Sequence, residues 1–234
     1  KTVRLSSENT LNYSTKIKKI HSIDALLGAS VYLNTTTKAG ILGFDFMTDD
    51  IYSLSAAGRI DQYEGTSLRT GTWKSDDAMV SYFGRINYAL KDRYLFSATI
   101  RTDGSSKFGK DNRWGWFPSV SGGWRVSEEP FIKANVPWLN QLKIRGSYGI
   151  TGTNAIVNYA NTNLLDPAPY VLGAGSGSVI VGFANNSKTL GNSALQWEQT
   201  GEYNLGLDIA LFKNRIGITF DYYYAITKSL LYEK

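Results

Sequence analysis

The sequence predicts an all-β fold, and within that class a segment of an antiparallel transmembrane β-barrel. Three observations predict it. Apolar and polar side chains alternate along residues 79–90, 94–101, 120–127, 142–151, 197–211 and 216–224. These runs pair across short polar turns, and no run approaches the ~18 apolar residues of a membrane helix. In Met79–Leu90, Tyr82, Gly84, Ile86, Tyr88 and Leu90 share one face, while Ser81, Arg85 and Asn87 share the other. In Leu142–Thr151, Leu142, Ile144, Tyr148 and Ile150 oppose Lys143, Arg145, Ser147 and Thr151. In Trp197–Leu211, Tyr203, Leu205, Leu207, Ile209 and Leu211 oppose Glu198, Thr200, Glu202, Asn204 and Asp208. A barrel needs this pattern: lipid against one face, water against the other, and every backbone group paired between strands.

Eight strands follow, in four hairpins. Asn9–Ile17 meets Ser22–Leu33 across Lys18-Lys19-Ile20-His21, and Met79–Leu90 meets Tyr94–Arg101 across Lys91-Asp92-Arg93. Val120–Ser127 meets Leu142–Thr151 across a link holding Pro130 and Pro137. Trp197–Leu211 meets Ile216–Tyr224 across Phe212-Lys213-Asn214-Arg215. Each run is near the ~9–11 residues that a tilted strand needs to cross a bilayer. Between the hairpins, residues 34–78, 102–119 and 152–196 are rich in Gly, Ser, Thr, Asn and Asp and read as long loops. Outer-membrane barrels have short turns on the periplasmic side and long loops outside, which orients the segment. Eight strands could close a small barrel. The polar face, however, carries Arg85, Arg101, Arg125, Lys143, Arg145, Glu198, Glu202, Asp208 and Asp221. So many charges do not suit a dry, narrow interior. An arc of a wider, wet barrel suits them.

Composition narrows the function classes. With no cysteine and one histidine, His21, the chain has no thiolate nucleophile, no disulfide and no site needing two imidazoles. The 15 tyrosines and 6 tryptophans suit interfacial aromatic girdles. The net charge of +5 does not make a nucleic-acid binder, because Lys and Arg are scattered rather than gathered into a patch. No signal peptide opens the chain at Lys1-Thr-Val-Arg4, so the expectation is a fragment whose export signal lies upstream.

No motif supports catalysis or a cofactor. Gly104-Ser-Ser-Lys-Phe-Gly109-Lys110 fits seven positions of a phosphate-binding loop, but Asp111 stands where Ser or Thr should hold magnesium, and no helix pattern follows. Asp45, Asp49, Asp50 and Asp61 lack the spacing of a calcium loop and read as solvated acids. In Asp76-Asp77 and Glu128-Glu129, sequence neighbours on a strand point to opposite faces, so neither pair presents two carboxylates to one bond. His21 falls in a periplasmic turn and reads as solvated. Trp114, Trp116 and Phe117 fall near the outer rim, where they either anchor the barrel at lipid headgroups or stack on a ligand. The period of two turns Trp114 and Trp116 the same way, which favours the girdle. Trp73 and Tyr170 fall deep in long loops and are the substrate-binding candidates. No catalytic, cofactor or metal residue is assigned.

Residues 81–124 read SYFGRINYALKDRYLFSATIRTDGSSKFGKDNRWGWFPSVSGGW. This stretch resembles the SusC/RagA-like branch of TonB-dependent outer-membrane transporters of Bacteroidetes. WRVSEEPFIKANVPWLNQLKIRGSYGITGT continues the resemblance, as do LGNSALQWEQTGEYNLGLDIALFKNRIGITFDYYYAITKSLL and the ENTLNYS…IHSIDALLGAS hairpin. The resemblance implies that residues 1–234 belong to one barrel domain of the 22-stranded, plugged type. It implies import of a glycan or peptide nutrient across the bacterial outer membrane, powered through TonB and capped by a SusD-like surface lipoprotein. The plug domain, TonB box and signal peptide are expected outside this sequence. Two rivals stand beside this reading. One is a passive porin or barrel-anchored adhesin. The other is a soluble carbohydrate-binding β-sandwich, whose apolar faces would be buried in one core.

Overall fold

The computed structural model describes residues 1–48, 50, 53–60, 71–172, 178–185 and 190–231. In chain order the strands are β1 (Thr2–Ile17), β2 (His21–Gly40), β3 (Gly43–Phe46), β4 (Ala57–Ile60), β5 (Gly71–Leu90) and β6 (Tyr94–Ser105). They continue as β7 (Trp114–Arg125), helix α1 (Pro130–Asn135), β8 (Leu139–Thr153), β9 (Leu165–Leu172), β10 (Ser178–Asn185), β11 (Glu198–Leu211) and β12 (Ile216–Lys228). Eight of the strands form one antiparallel sheet in the order β1-β2-β5-β6-β7-β8-β11-β12. The sheet does not close on itself, since β1 and β12 pair only inward. It is an arc, as the charge on its polar face predicts. Two small hairpins, β3–β4 and β9–β10, stand apart from it.

Cross-strand register sets the two faces. One row runs Leu90, Tyr94, Trp124, Ile144, Leu207 and Phe220. A neighbouring row on the other face runs Asp24, Asn87, Ser97, Ser121, Ser147 and Asn204. All nine charged residues assigned to the polar face lie there by register. They are partly paired: Arg145 reaches Asp221 at 2.7 Å and Asp208 at 3.3 Å, and Arg101 Nε reaches Asp103 at 2.9 Å.

Among the described residues, no element packs on the apolar face. Ile86, Phe96, Ile100, Leu205 and Phe220 stay 45%, 49%, 52%, 62% and 62% exposed. Among the described residues, the buried hydrophobics are Phe108, Phe117, Val126 and Trp197. A water-soluble protein this size would bury such a face, because exposed apolar patches of this extent are aggregation or interaction sites. The soluble-sandwich rival requires a second sheet over this face, and the described residues supply none.

The strand expectations hold in number, order and pairing but not in length. The eight strands run 12–20 residues, longer than a bilayer crossing requires. Most of the excess lies at the long-segment end. β2 continues to Gly40 and β5 begins at Gly71, so Thr35-Thr36-Thr37-Lys38 pairs with Trp73-Lys74-Ser75-Asp76. Apart from Trp73, both faces are polar there, so alternation vanishes while the backbone ladder continues. The segments expected to be loops at 34–78, 102–119 and 152–196 therefore contain strand extensions, and the first and last also hold the two small hairpins.

The short turns run through left-handed backbone, at Lys18 and Lys19 (φ 53° and 56°) and at Lys91 and Asp92 (both 53°). Mirror-image turns of this kind match the right-handed twist of the flanking strands. The longer link folds into α1 with Pro130 in its first turn, where a missing N–H costs nothing. Glu129, just before α1, is buried and accepts from Tyr94 Oη at 2.7 Å, Trp124 Nε1 at 3.1 Å and Arg93 at 3.3 Å. The Tyr94 hydroxyl first, then the Trp124 indole and the Arg93 charge, hold its carboxyl below the usual carboxylate range. A depressed value means the ionised clamp stabilises the fold at neutral pH. That stabilisation fades once pH falls past the unfolded carboxylate value of about 4.3, and is gone below the folded value. Glu129→Gln should therefore lower the unfolding transition of the complete protein at pH 7 and narrow its difference from wild type at pH 3. A difference independent of pH would show that the charge is irrelevant.

Candidate functional site

At the long-segment end of the sheet, side chains from segments distant in sequence gather. Phe108 is fully buried, and its ring centroid lies 5.2 Å from that of Trp197. Phe117 meets the same indole edge-on at 5.3 Å. Trp197 Nε1 donates to Arg113 O at 2.9 Å, so its one polar atom is satisfied within the cluster. The Phe117 ring occupies the space where side chains at Gly115 and Gly152 would stand, which explains glycine at both positions. This cluster ties the β6–β7 loop to the segment leading into β11. The phosphate-loop look-alike is thus a packing loop whose one aromatic is driven inward.

Beside it lies a cleft of about 460 Å³, lined by Asn34, Lys74, Asp76, Lys107, Asn158 and Tyr159 among others. Segment 154–160 packs on β5 where β6 no longer covers its edge. Asn158 Nδ2 donates to Ser75 Oγ at 2.7 Å and Asp77 Oδ1 at 3.1 Å, and the Asp76 N–H donates to Tyr159 Oη at 3.0 Å. Lys107 Nζ donates to Ile156 O at 2.9 Å. The Asn34 amide donates to Asp77 Oδ1 at 2.9 Å, while its own oxygen is buried without a partner. Amide, carboxylate, ammonium and phenol groups here match hydroxyls or peptide groups of a polar ligand.

The predicted site residues fare unequally. Trp73 is not in a loop. It sits in the extension of β5, opposite Lys38, and is 43% exposed. Tyr170 pairs with Ile180 in the β9–β10 hairpin, and its side chain lies outside the described residues. The two are not brought together by any described contact. Trp114 and Trp116 are exposed on the apolar face, and Trp114 stacks on Tyr82 at 6.2 Å. Phe117 turns the other way into the buried cluster, so it is not a girdle residue. Trp114 and Trp124 lie ten residues apart in β7, which is about 33 Å of strand. Tilted by ~35–45°, that spans about 23–27 Å of membrane normal, the height of the apolar band between two aromatic girdles.

His21 is not merely solvated: it begins β2, and its Nδ1 lies 2.8 Å from Tyr88 Oη with the rings stacked. Asp45 faces Arg59 at 3.6 Å in the exposed β3–β4 hairpin, whereas Asp49 and Asp61 lie outside the described residues. Asn158, Tyr159 and Phe108 escaped sequence reasoning. Their partners stand 81–89 residues away, which no local periodicity reports.

Comparison with known proteins decides what this architecture is. The family model described as TonB dependent receptor-like, beta-barrel matches residues 3–233. The chain belongs to the TonB-dependent receptor family, within its β-barrel. TonB-dependent receptor P39 of Formosa agariphila is 34% identical over 97% of this chain and 20% of its own length. TonB-dependent receptor SusC of Bacteroides thetaiotaomicron is 42% identical over 66% of this chain and 15% of its own length. The structure of the RagAB peptide transporter superposes with a TM-score of 0.77 at 29% identity, covering 97% of this chain and 24% of that one. The SusC/RagA-like resemblance is therefore correct. The chain spans about a fifth of the length of the curated relatives it matches, so the TonB-dependent receptor barrel is represented here by an arc.

Proposed function

We propose that the complete protein is an outer-membrane importer of glycan or oligopeptide nutrients, energised through TonB and capped by a SusD-like lipoprotein. Residues 1–234 contribute part of its one barrel domain, and the plug and TonB-contacting segment come from other parts of the polypeptide. The observation that carries this reading is the sheet itself. It has an exposed apolar face between two aromatic girdles, and its opposite face is polar, charged and incompletely paired. Relatedness to the RagAB peptide transporter supports a peptide among the possible cargoes. In this reading the cleft at Asn34, Asp76 and Tyr159 faces the cargo, and Trp73 and Tyr170 remain separate proposed contacts.

Energy coupling separates this reading from the porin and adhesin alternatives, because a plugged barrel does not open by diffusion. Deleting the gene should abolish growth on one polymeric nutrient while sparing growth on its monomers. Removing TonB should do the same. Uptake that persists without TonB would make the protein a passive barrel.

A further inference from the structure

At the short-turn end, the turns are joined into one rim. The Lys91 N–H donates to Ile20 O at 2.6 Å, the Arg125 N–H to Arg93 O at 2.8 Å, and the Phe212 N–H to Trp138 O at 2.9 Å. The three tight turns on this rim carry Lys18, Lys19, Lys91, Arg93, Lys213 and Arg215 against one carboxylate, Asp92. Arg93 is engaged by Glu129. The other five cations are exposed and form no ion pair among the described residues. Lys18, Lys19, Lys91 and Lys213 also occupy left-handed backbone, at φ 53°, 56°, 53° and 58°. Gly or Asn would sit there with less strain. Lysine stands at four such positions despite its backbone cost.

Aromatic pairs flank the cations at the same end. Tyr94 stacks on Trp124 at 6.4 Å and Trp138 on Phe212 at 6.1 Å, with all four rings 39–52% exposed. Amphipathic rings of this kind settle at the level of lipid headgroups. The lysine and arginine ends then reach the phosphate plane, where charge-assisted hydrogen bonds to phosphodiester oxygens form.

We propose that this rim docks anionic phospholipid headgroups of the leaflet that meets the short turns. The proposal rests on the membrane-barrel reading above. Each cation near an anionic lipid surface strengthens binding by about fivefold, the equivalent of ~1 kcal/mol. The test uses the complete protein in neutral detergent, titrated separately with phosphatidylglycerol, phosphatidylcholine and lipopolysaccharide and read by native mass spectrometry. Wild type should retain phosphatidylglycerol at least about fivefold better than phosphatidylcholine. Combined Lys18→Gln, Lys19→Gln, Lys91→Gln, Lys213→Gln and Arg215→Gln should erase that preference. Exchanging the same lysines for arginine and Arg215 for lysine should keep it, which separates charge from side-chain shape. Equal retention of the two phospholipids by wild type would overturn the proposal. So would a preference that survives the glutamine substitutions, or a rim preference for lipopolysaccharide over phosphatidylglycerol. Failure of wild type to bind any lipid or to migrate as a heat-modifiable barrel would instead contradict the membrane reading beneath it.

Discussion

Ile86→Arg, Ile144→Arg and Leu207→Arg should each destabilise the complete protein in lipid vesicles by about 2–4 kcal/mol. The three positions lie on the apolar face, four or five residues from the short-turn end of β5, β8 and β11. At about 3.3 Å per residue and a tilt of ~35–45°, that places them roughly 10–13 Å above the turns, within the apolar band, with Ile144 nearest its edge because it pairs with Trp124. A guanidinium there must shed water or drag it into the hydrocarbon. The neighbouring Asn87, Ser147 and Asn204 face the polar side, so arginine at these positions keeps its water. Asn87→Arg is the cleanest control. Arginine at Asn204 would also meet Arg145, whose Nη1 lies 3.4 Å from the Asn204 amide oxygen, and like charges would add a cost of their own. Urea titrations of vesicle-folded protein measure these differences. Equal costs on the two faces would contradict the assignment of lipid and lumen sides.

Trp197→Ala should have an effect of similar size at a different place. It removes a nearly buried indole from between Phe108 and Phe117, a truncation that costs about 3–5 kcal/mol in a packed site. It also removes one of the two donors to Arg113 O, leaving only the Ser105 N–H at 3.1 Å. The cluster sits beyond the apolar band, so the loss should appear as local opening of the β6–β7 loop while the barrel stays folded. Limited proteolysis should then cut within residues 105–113 much faster than in wild type, with heat-modifiable migration unchanged. Trp197→Phe should restore most of the protection. Loss of the whole barrel would show that the cluster nucleates assembly and is more than a tie between outer segments.

What the sequence discloses follows where physics leaves a local trace. Inside the membrane, lipid and water demand opposite chemistry on alternate residues. Ile86 and Asn87, or Leu207 and Asp208, therefore reveal strand, face and register partners at once. Beyond the apolar band both faces meet water, so Thr35-Thr36-Thr37-Lys38 and Lys74-Ser75-Asp76-Asp77 look like loop although they are paired strand. Trp73 was misplaced for that reason. The Phe108–Phe117–Trp197 cluster and the contacts of Tyr159 depend on residues far apart in sequence, and a lone aromatic in a polar loop was their only trace. Glu129 shows the same limit. Next to Glu128 it looks like half of an acid pair, but its function depends on Tyr94 and Trp124, which the hairpin order brings to it.

The central claim is that the sheet crosses the outer membrane with its short turns in the periplasm and its long segments outside. Single cysteines tested with a membrane-impermeant thiol reagent in intact cells probe this most directly, using the complete protein with any other cysteines removed. Lys38→Cys and Ser193→Cys should label at once. Asp92→Cys and Asn214→Cys should label only after the outer membrane is breached. Immediate labelling at Asp92 and Asn214 with protection at Lys38 and Ser193 would invert the orientation, and immediate labelling at all four would contradict a membrane-spanning sheet.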